Sequence, residues 1–292
     1  MKILVIGASG MLGHKLVQCW RGKFDVWATL RGGHDSYARF GIFESKKIVE
    51  EVDAEDFETV ARAIEKVRPD VIFNAVGVIK QLPTSKDVVK TLTINSIFPH
   101  RLAEIAAKSA ARLINIGTDC VFDGKKGNYK EEDVSDATDL YGKSKNLGEV
   151  VEGNCLTLRT SIIGRELRSE HSMVEWFLTN RGKTVKGFTN AIYTGFPTVV
   201  MAEILADVIE NRPDLRGLYH VSSAPINKYE LLKMIREAYR AEIEIEPFDD
   251  FRIDRSLDST RFRQAVGFRP PSWREMIEKM AADRTPYDEW RK

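Results

Sequence analysis

The sequence predicts an α/β protein with a doubly wound parallel sheet, in which helices cover both faces of the strands. Two observations support this prediction. Short apolar runs alternate with helical patterns along the first 165 residues, and a glycine-rich turn follows directly after the first run. Strand, helix and strand in regular succession form right-handed crossovers, which make neighbouring strands parallel.

The predicted strands are short, rich in Val, Ile and Leu, and lack polar alternation, as expected of strands buried on both faces. They cover residues 2–6, 25–30, 48–52, 71–76, 112–116 and 155–159. The predicted helices have apolar residues three or four positions apart and cover residues 11–20, 57–67, 88–110 and 140–151. In such a sheet, ligands bind at the carboxyl ends of the strands.

The alternation ends after about residue 165. A helix at 199–210 and a strand at 217–221 are expected to return to the main sheet. Segments 229–240, 242–246 and 273–280 are expected to form a smaller, interleaved α+β unit. We therefore predict a sheet domain at 1–165, with returns near 196–222, and a substrate-binding cap formed by 166–195 and 223–292. A cleft between the two is the expected substrate site.

Composition excludes several classes of protein. The 292 residues carry 44 basic and 43 acidic side chains, so the net charge of +1 gives no electrostatic case for nucleic-acid binding. No apolar run approaches the roughly 18 residues of a membrane span. Three unrelated cysteines argue against a disulfide framework and favour the cytoplasm. The histidines and acidic residues show no ligand spacing, so we expect no catalytic metal.

The glycine turn after the first strand is the first candidate site. Glycine permits positive φ and lets backbone approach a pyrophosphate, while the amide groups at the helix start attract its charge. A tight turn without a ligand is the alternative, but the position between strand and helix favours a dinucleotide site. The residues assigned to it are Gly7, Ser9, Gly10, Met11, Leu12 and Gly13.

Two charged residues are candidates for binding the adenosine half of a dinucleotide cofactor. Arg31 follows the second strand, where a guanidinium pairs with a 2′-phosphate, and no acidic residue stands at the strand end; this favours NADPH, with NADH possible. A solvated surface arginine is the alternative. Asp53 accepts a hydrogen bond from the adenine amino group, or it N-caps the helix that contains Phe57, with Asp56 at the third position.

Small residues end the fourth strand, and they would let the chain pass close under a cofactor. An ordinary strand end is the alternative reading. The residues assigned here are Asn74, Ala75, Val76 and Gly77, and Ala54 and Asn95 are added to the predicted cofactor site.

Tyr141 and Lys145 provide the sharpest chemical signal. Four residues apart on a helix, they share a face, and Thr118 at the end of the fifth strand is expected to meet them. An amine close to a phenol stabilises the phenolate, so we expect a lowered pKa for Tyr141 and a usable acid or base. Lys145 is also expected to bind the nicotinamide ribose. The alternative places Tyr141 in a core and Lys145 in solvent.

These residues resemble the extended short-chain dehydrogenase/reductases, and within them the dTDP-4-dehydrorhamnose reductases. The resemblance covers nearly the whole chain. Its motifs are the glycine turn, Asn74-Ala75, residues 117–124, 141–145 with 148–149, 158–160, 195–198 and 256–258.

The resemblance implies an NADPH-dependent reduction of a nucleotide-linked 4-keto-6-deoxysugar for cell-surface polysaccharide precursors. Tyr141 would protonate the developing alkoxide, Thr118 would hydrogen-bond its oxygen, and Lys145 would tune Tyr141 and hold the ribose. It also implies a homodimer formed through the helices at 88–110 and 140–151.

Three departures keep the sugar and base open. Residues 76–83 differ from the usual acidic stretch, Cys120 replaces a tyrosine, and Ile163 replaces an aromatic residue. UDP-linked N-acetylated 4-keto sugars are therefore equal candidates.

The substrate site is predicted from charge and aromatic character. Lys80, Arg252 and Arg255 are assigned to phosphates, with surface placement as the alternative for the arginines. Helical spacing also fits core packing of the aromatic residues near 173–177. The other residues assigned to substrate are Thr118, Asp119, Met173, Trp176 and Tyr193.

Two other functions remain open. An NAD-dependent sugar-nucleotide epimerase or dehydratase is disfavoured by Arg31 and by Cys120, where the dehydratases carry glutamate. A non-catalytic, dinucleotide-binding regulatory subunit is disfavoured by the intact Thr118, Tyr141 and Lys145.

Overall fold

The structure, a computed structural model, describes residues 1–291. The strands are β1 (Lys2–Ile6), β2 (Asp25–Thr29), β3 (Ile48–Val49), β4 (Val71–Asn74), β5 (Arg112–Ile116), β6 (Cys155–Arg159), β7 (Ile162–Ile163), β8 (Thr184–Tyr193), β9 (Phe196–Pro197), β10 (Gly217–His220), β11 (Ile226–Asn227) and β12 (Glu244–Asp254). The α-helices are α1 (Met11–Trp20), α2 (Asp35–Ala38), α3 (Phe57–Val67), α4 (Val88–Leu92), α5 (Phe98–Lys108), α6 (Leu140–Leu147), α7 (Met173–Leu178), α8 (Thr198–Asn211), α9 (Lys228–Ala238), α10 (Thr260–Val266), α11 (Trp273–Ala281) and α12 (Tyr287–Trp290).

The main sheet has seven parallel strands in the order β10-β6-β5-β4-β1-β2-β3. β1 lies between β2 and β4, where Ile3 is in register with Val26 and with Val71. The strand order reverses at β1 and β4, so this Rossmann-type sheet opens a crevice at their carboxyl ends. The predicted fold class is confirmed.

Both faces of this sheet are covered. Ile3 and Val5 face one core, whereas Leu4 and Ile6 face another. Successive strand residues point to opposite faces, and this explains why the strands lack polar alternation. The helices supply the facing apolar residues: Leu16 of α1 and Leu205 of α8 on one side, and Val60 and Ile64 of α3 with Leu102 of α5 on the other.

The helix predicted over 88–110 is wrong as a single element. It is broken into α4, a π-helical turn at Thr93–Ile97, and α5. Pro99 has no N–H to donate, and its ring clashes with the carbonyl four residues earlier, at Asn95. A local change to π geometry is a common solution to such a lost bond. The sequence therefore held the signal for this break.

Several predicted strands and helices are shorter in the structure. The strands predicted at 25–30, 48–52 and 71–76 end at Thr29, Val49 and Asn74. The helix predicted at 140–151 ends at Leu147, since Gly148 follows as its C-cap. Residues after these strand ends form the loops that carry candidate site residues.

A second, three-stranded sheet has the order β11-β8-β12 and was largely missed. The strand predicted at 242–246 is the first part of β12, which continues to Asp254 past a register shift between Phe248 and Arg252. β8 was not predicted. Its buried positions do alternate with more exposed ones, but glycine occupies one of them and Phe188 and Ile192 lie on the other face, so the sequence shows no clear apolar alternation. The chain leaves the main sheet after β6 and rejoins it at β10. The division into two domains stays a prediction.

No helix within residues 1–291 is long and apolar enough to cross a membrane.

Candidate active site

The carboxyl edge of the main sheet gathers most of the candidate residues. The glycine turn follows β1, Arg31 follows β2, Asn74 ends β4 and Thr118 follows β5. The carboxyl ends of parallel strands lie at one edge, so residues far apart in sequence become neighbours.

The glycine turn forms a tight cradle. Gly7 has φ +82°, in the left-handed region, and Gly10 is the N-cap of α1 without any side-chain cap. A Cβ at position 13 would overlap the carbonyl oxygen of Gly7, so α1 can begin this close to the turn only with glycine there. Uncapped amide groups at the start of α1 offer a site for an anion.

Arg31 follows β2 and is exposed. The structure also places a carboxylate near its loop, which the sequence did not indicate. Glu50, after β3, accepts a hydrogen bond from the backbone N–H of His34. No acidic residue follows β2 directly in the sequence, as expected. The expectation is nevertheless wrong for the folded protein, because the pairing of β3 with β2 brings Glu50 to this loop.

Asp53 does not N-cap α3, so that alternative is wrong. Asp56 is the N-cap, and its carboxylate accepts from the N–H of Glu58. The Asp53 carboxylate instead accepts from the N–H of Glu55 at 3.0 Å, which forms a turn before the helix. Asp53 and Ala54 are both partly exposed beside this turn.

Asn74 and Asn95 are held by protein partners. Asn74 is buried, donates to the side-chain oxygen of Asn115 at 2.8 Å and accepts from the N–H of Val76. The Asn95 amide accepts from the N–H of Val78 at 2.8 Å and donates to the Val78 carbonyl and to Ser144. The Asn95 amide thus joins the loop after β4 to α6, and its contact with a cofactor stays a prediction.

The remaining residues of that loop leave space. Ala75 and Val76 are partly exposed and Gly77 is exposed. Gly77 lies against the amide of Asn95, whose oxygen would be 3.5 Å from a Cβ there. A ligand at the carboxyl end of β4 can therefore approach this backbone closely.

Gly142 brings α6 against the segment that carries Thr118. A Cβ at this position would overlap the carbonyl oxygen of Cys120, so only glycine allows the contact. Asp139 caps α6 by accepting from the N–H of Gly142 at 2.9 Å. The first turn of α6 is thereby fixed beside β5, and Tyr141 lies next to Thr118.

Burial raises the pKa of Tyr141 above its ordinary value. The neighbouring Cys120 raises it further, and hydrogen bonding with Thr118 acts in the opposite direction. The expectation of a lowered pKa from Lys145 is therefore wrong, since desolvation of the phenolate outweighs any attraction to the amine. Tyr141 is a protonated phenol at neutral pH, a state suited to donating a proton.

Lys145 is buried at the end of β5. Its ammonium group donates to the carbonyl of Ile116 at 2.7 Å, two residues before Thr118. Burial lowers the pKa of Lys145 to about 8, against the charge of Glu149, which raises it. Lys145 therefore neither lies in solvent nor packs as an inert residue, and its charge is present mainly below pH 8.

We expect activity to fall as pH rises above about 8. The ammonium form of Lys145 is present below its pKa and is lost above it, so kcat/KM should decline with an apparent pKa near 8. A pH series from 6 to 10 measures this. In Lys145→Met, kcat/KM should be much lower and should no longer decline above pH 8. In Lys143→Met, which changes an exposed lysine of the same helix, the decline should remain. An unchanged decline in Lys145→Met would contradict the assignment.

Three cations surround the segment after β5. Lys80 forms an ion pair with Asp139 at 2.8 Å and lies over the ring of Tyr141, 5.4 Å from its centroid. The Arg255 guanidinium donates to the carbonyl of Phe122 and contacts the sulfur of Cys120 at 3.8 Å. Lys228 interacts with the carboxylate of Asp119.

Asp119 is the buried carboxyl among these cations. Burial raises its pKa, while Cys120, Arg255, Thr118 and Lys228 oppose the rise. Sequence reasoning missed Lys228, which begins α9 and lies 109 positions from Asp119. No local pattern marks it, because the Lys228 charge comes near Asp119 only when α9 packs on the small sheet, against β8.

The remaining substrate candidates are dispersed. Phe177 is fully buried and Met173 partly buried, as core packing predicted, whereas Trp176 is 42% exposed. Tyr193 is buried, and its hydroxyl has no hydrogen-bond partner. Arg252 is exposed on β12, at the edge of the small sheet. Within residues 1–291, no three His, Cys, Asp or Glu side chains form a group suited to a metal ion.

Comparison with known proteins decides the family. A family model described as the RmlD substrate binding domain matches residues 1–285. The chain belongs to this family. The resemblance to dTDP-4-dehydrorhamnose reductases is thereby confirmed at the family level.

Relatives of this RmlD-family chain have names that describe different functions. SpsK of Bacillus subtilis, a spore coat polysaccharide biosynthesis protein, is 27% identical over 97% of this chain and 98% of its own. The dTDP-4-dehydrorhamnose reductase of Aggregatibacter actinomycetemcomitans is 25% identical over 96% and 98%. Methionine adenosyltransferase 2 subunit beta of Bos taurus is 27% identical over 82% and 72%.

Solved structures share the fold. A hypothetical dTDP-4-dehydrorhamnose reductase from Sulfolobus tokodaii has a TM-score of 0.76 at 28% identity, covering 94% of this chain and 98% of its own. The dTDP-4-dehydrorhamnose reductase of Bacillus anthracis, in complex with NADP, has a TM-score of 0.77 at 21% identity, covering 96% and 98%.

Proposed function

We propose that this RmlD-family protein is an NADPH-dependent reductase of a nucleoside-diphosphate 4-keto-6-deoxysugar. The observation that carries the proposal is the grouping of Tyr141, Thr118 and Lys145 at the carboxyl end of β5, with the glycine cradle at the same edge of the sheet. The SpsK and reductase relatives support a role in cell-surface polysaccharide precursor synthesis.

The glycine cradle fits a dinucleotide. The uncapped amide groups of Met11 and Leu12 suit a pyrophosphate, and any side chain at position 13 would overlap the carbonyl oxygen of Gly7. Gly7, Ser9 and Gly10 complete the cradle. Arg31 and Asp53 hold the adenosine half, and Ala75 to Gly77 line the approach. When bound, the reduced nicotinamide would supply a hydride to the substrate carbonyl carbon.

The chain's own groups supply the proton and the electrostatic stabilisation. Tyr141 donates its phenolic proton to the oxygen of the carbonyl as negative charge develops there. Thr118 hydrogen-bonds the same oxygen and orients it. The Lys145 ammonium stabilises the phenolate that forms on Tyr141 when the proton leaves. This interaction is stronger in the transition state than in the ground state, where the phenol is neutral.

The cations near Tyr141 suit an anionic substrate. Lys80, Arg255 and Lys228 attract the diphosphate of a sugar nucleotide and hold it by charge-assisted hydrogen bonds. Remote binding of the nucleotide orients the sugar for reaction. The dTDP-linked 6-deoxysugar and a UDP-linked N-acetylated 4-keto sugar both meet this description.

A binding panel and a turnover assay test the proposal. Thermal shifts with NADPH and a set of dTDP- and UDP-linked sugars identify the ligand, which stabilises the folded state by mass action. Absorbance at 340 nm then follows the oxidation of NADPH after the 4-keto sugar is added. One cofactor oxidised per sugar supports the reductase, and turnover without net oxidation supports the epimerase alternative.

A regulatory subunit is the second candidate, because methionine adenosyltransferase 2 subunit beta is among the relatives. On this reading the cradle binds a dinucleotide without turnover. Binding of NADPH with no oxidation across the whole sugar panel would favour it over the reductase.

Cofactor choice is expected to depend on Arg31. Replacing it by alanine removes the charge that pairs with the 2′-phosphate, so the Kd for NADPH should rise about tenfold while that for NADH changes little. Titration calorimetry with both cofactors measures this. Arg21→Ala, an exposed arginine at the end of α1, is the matched control. Equal effects on NADPH and NADH would contradict the role of Arg31.

We also propose a homodimer formed through α5 and α6. His100 of α5 is bonded to the Leu147 carbonyl of α6 at 2.8 Å, which sets the helices side by side. Ile97, Leu147 and Val151 are exposed on this surface at 53%, 60% and 39%. Apolar side chains grouped at a surface favour association.

The free cysteines within residues 1–291 suit a cytoplasmic location.

Leu147→Glu is expected to weaken this dimer at least about 100-fold, because a twofold interface would bury the carboxylate twice. Sedimentation velocity across a concentration series measures the dissociation. Val134→Glu, at an 83% exposed position on a loop, should leave it unchanged. A dimer equally stable in both variants would place the interface elsewhere.

A further inference from the structure

The C-terminal segment 283–291 packs against the helix that begins at the glycine turn. Tyr287 is 3% exposed, and its hydroxyl lies 2.7 Å from Nε2 of His14, which is fully buried in α1. Nδ1 of His14 lies 2.8 Å from the carbonyl oxygen of Gly10. A continuous chain of hydrogen bonds therefore runs from the C-terminal segment to the N-cap of α1.

The chemistry of the partners fixes the direction of both bonds. A carbonyl oxygen only accepts, so Nδ1 of His14 carries a proton and donates to Gly10. Burial lowers the pKa of His14 to about 3, against the hydrogen bond to Gly10, which raises it. The ring is therefore neutral, Nε2 has no proton, and Tyr287 donates to it.

The Gly10 carbonyl belongs to the peptide unit that carries the N–H of Met11. In a planar trans peptide the C=O and N–H point in opposite directions. Two bonds from His14, one from its backbone N–H at 3.1 Å and one from its ring, hold this carbonyl along the helix. The Met11 N–H is thereby held pointing out of the helix start, where an anion would bind.

We propose that Tyr287 is a positioning residue for dinucleotide binding, acting through His14 on the Gly10–Met11 peptide. The inference rests on the proposed dinucleotide site. The match to the RmlD family model covers residues 1–285, so Tyr287 lies outside the matched residues.

Further contacts hold the segment in place. Lys15, next to His14, pairs with Asp283 at 2.5 Å. Trp290 packs edge-on against Phe40, which follows α2, with ring centroids 4.9 Å apart. Arg165 pairs with Asp288 and lies over the ring of Tyr287. Loss of the Tyr287 hydroxyl alone should therefore leave the segment docked.

Tyr287→Phe tests the proposal with NADPH titration calorimetry on the full-length protein. We expect the Kd to rise roughly 3- to 10-fold, the range for one lost hydrogen bond, with the KM for NADPH rising and kcat unchanged. Tyr239→Phe is the matched control. It removes one hydrogen bond, from Tyr239 to the Met280 carbonyl at 3.2 Å, in a tyrosine that also packs against Arg165 but does not touch the glycine turn.

A double-mutant cycle with His14→Phe separates positioning from general destabilisation. If Tyr287 acts through His14, the double variant should bind NADPH no more weakly than His14→Phe alone. Imidazole ¹⁵N shifts should also report a loss of the Nε2 hydrogen bond in Tyr287→Phe.

Three results would overturn the proposal. These are an unchanged Kd in Tyr287→Phe, effects that add fully in the double variant, or an equal loss in Tyr239→Phe. If Tyr287→Phe does not fold, the comparison of His14→Phe with the wild type decides, since an unchanged Kd there removes the link to Gly10. A wild-type protein that binds no dinucleotide would overturn the proposed function as well, which distinguishes the two failures.

Discussion

Replacing Tyr141 by phenylalanine is expected to lower kcat by about 10²- to 10⁴-fold, the range for loss of a positioned general acid. The substitution removes the phenolic proton donor and the hydrogen bonding with Thr118, and it leaves the ring in place. The cradle lies on other residues, so the Kd for NADPH should be unchanged. Steady-state kinetics and cofactor titration together measure this separation.

Tyr229→Phe is the control for this experiment, since Tyr229 is a partly exposed residue of α9 with no assigned role. Its kinetics should match the wild type. A Tyr141→Phe variant with wild-type kcat would show that water or another group supplies the proton. A Tyr141→Phe variant with weakened cofactor binding and normal kcat would show that Tyr141 binds the cofactor and does not transfer the proton.

Gly13→Ala is expected to destabilise the fold by about 3 kcal/mol, at the upper end of the cost of overpacking, and to raise the Kd for NADPH more than tenfold. The added methyl group would overlap the carbonyl oxygen of Gly7, and backbone relieves such an overlap only by moving α1 away from β1. Urea unfolding and NADPH titration measure the two effects.

Gly22→Ala is the matched control, because a Cβ there meets no atom within 4 Å. Its stability should change by no more than about 0.5 kcal/mol. If Gly13→Ala unfolds at the wild-type urea concentration, α1 has room to move at little cost. That result would contradict the claim that the cradle requires α1 to lie this close to the glycine turn.

The main sheet and much of the site could be predicted from sequence because their signals are local. The glycine turn, the strand-end threonine and the Tyr141–Lys145 spacing each lie within a few residues. Even the break in the helix at 88–110 was signalled by Pro99, whose missing N–H falls opposite the Asn95 carbonyl. That signal was outweighed by the apolar periodicity on both sides.

What sequence could not supply depends on contacts between distant segments. Glu50 reaches the loop after β2 only because β3 pairs with β2, and Lys228 reaches Asp119 only through the packing of α9. The direction of the Tyr141 pKa shift was wrong for a related reason. Spacing indicates which charges are near a phenol, whereas burial, which dominates here, follows from the whole fold.

The most direct test of the central claim is a single turnover of a 4-keto sugar nucleotide with excess enzyme, followed at 340 nm in the wild type and in Tyr141→Phe. We expect one NADPH to be oxidised for each sugar reduced, with the rate at least about 100-fold lower in the variant. Equal rates in the two proteins, or absorbance that returns to its starting value, would contradict a reductase that uses Tyr141 as its acid.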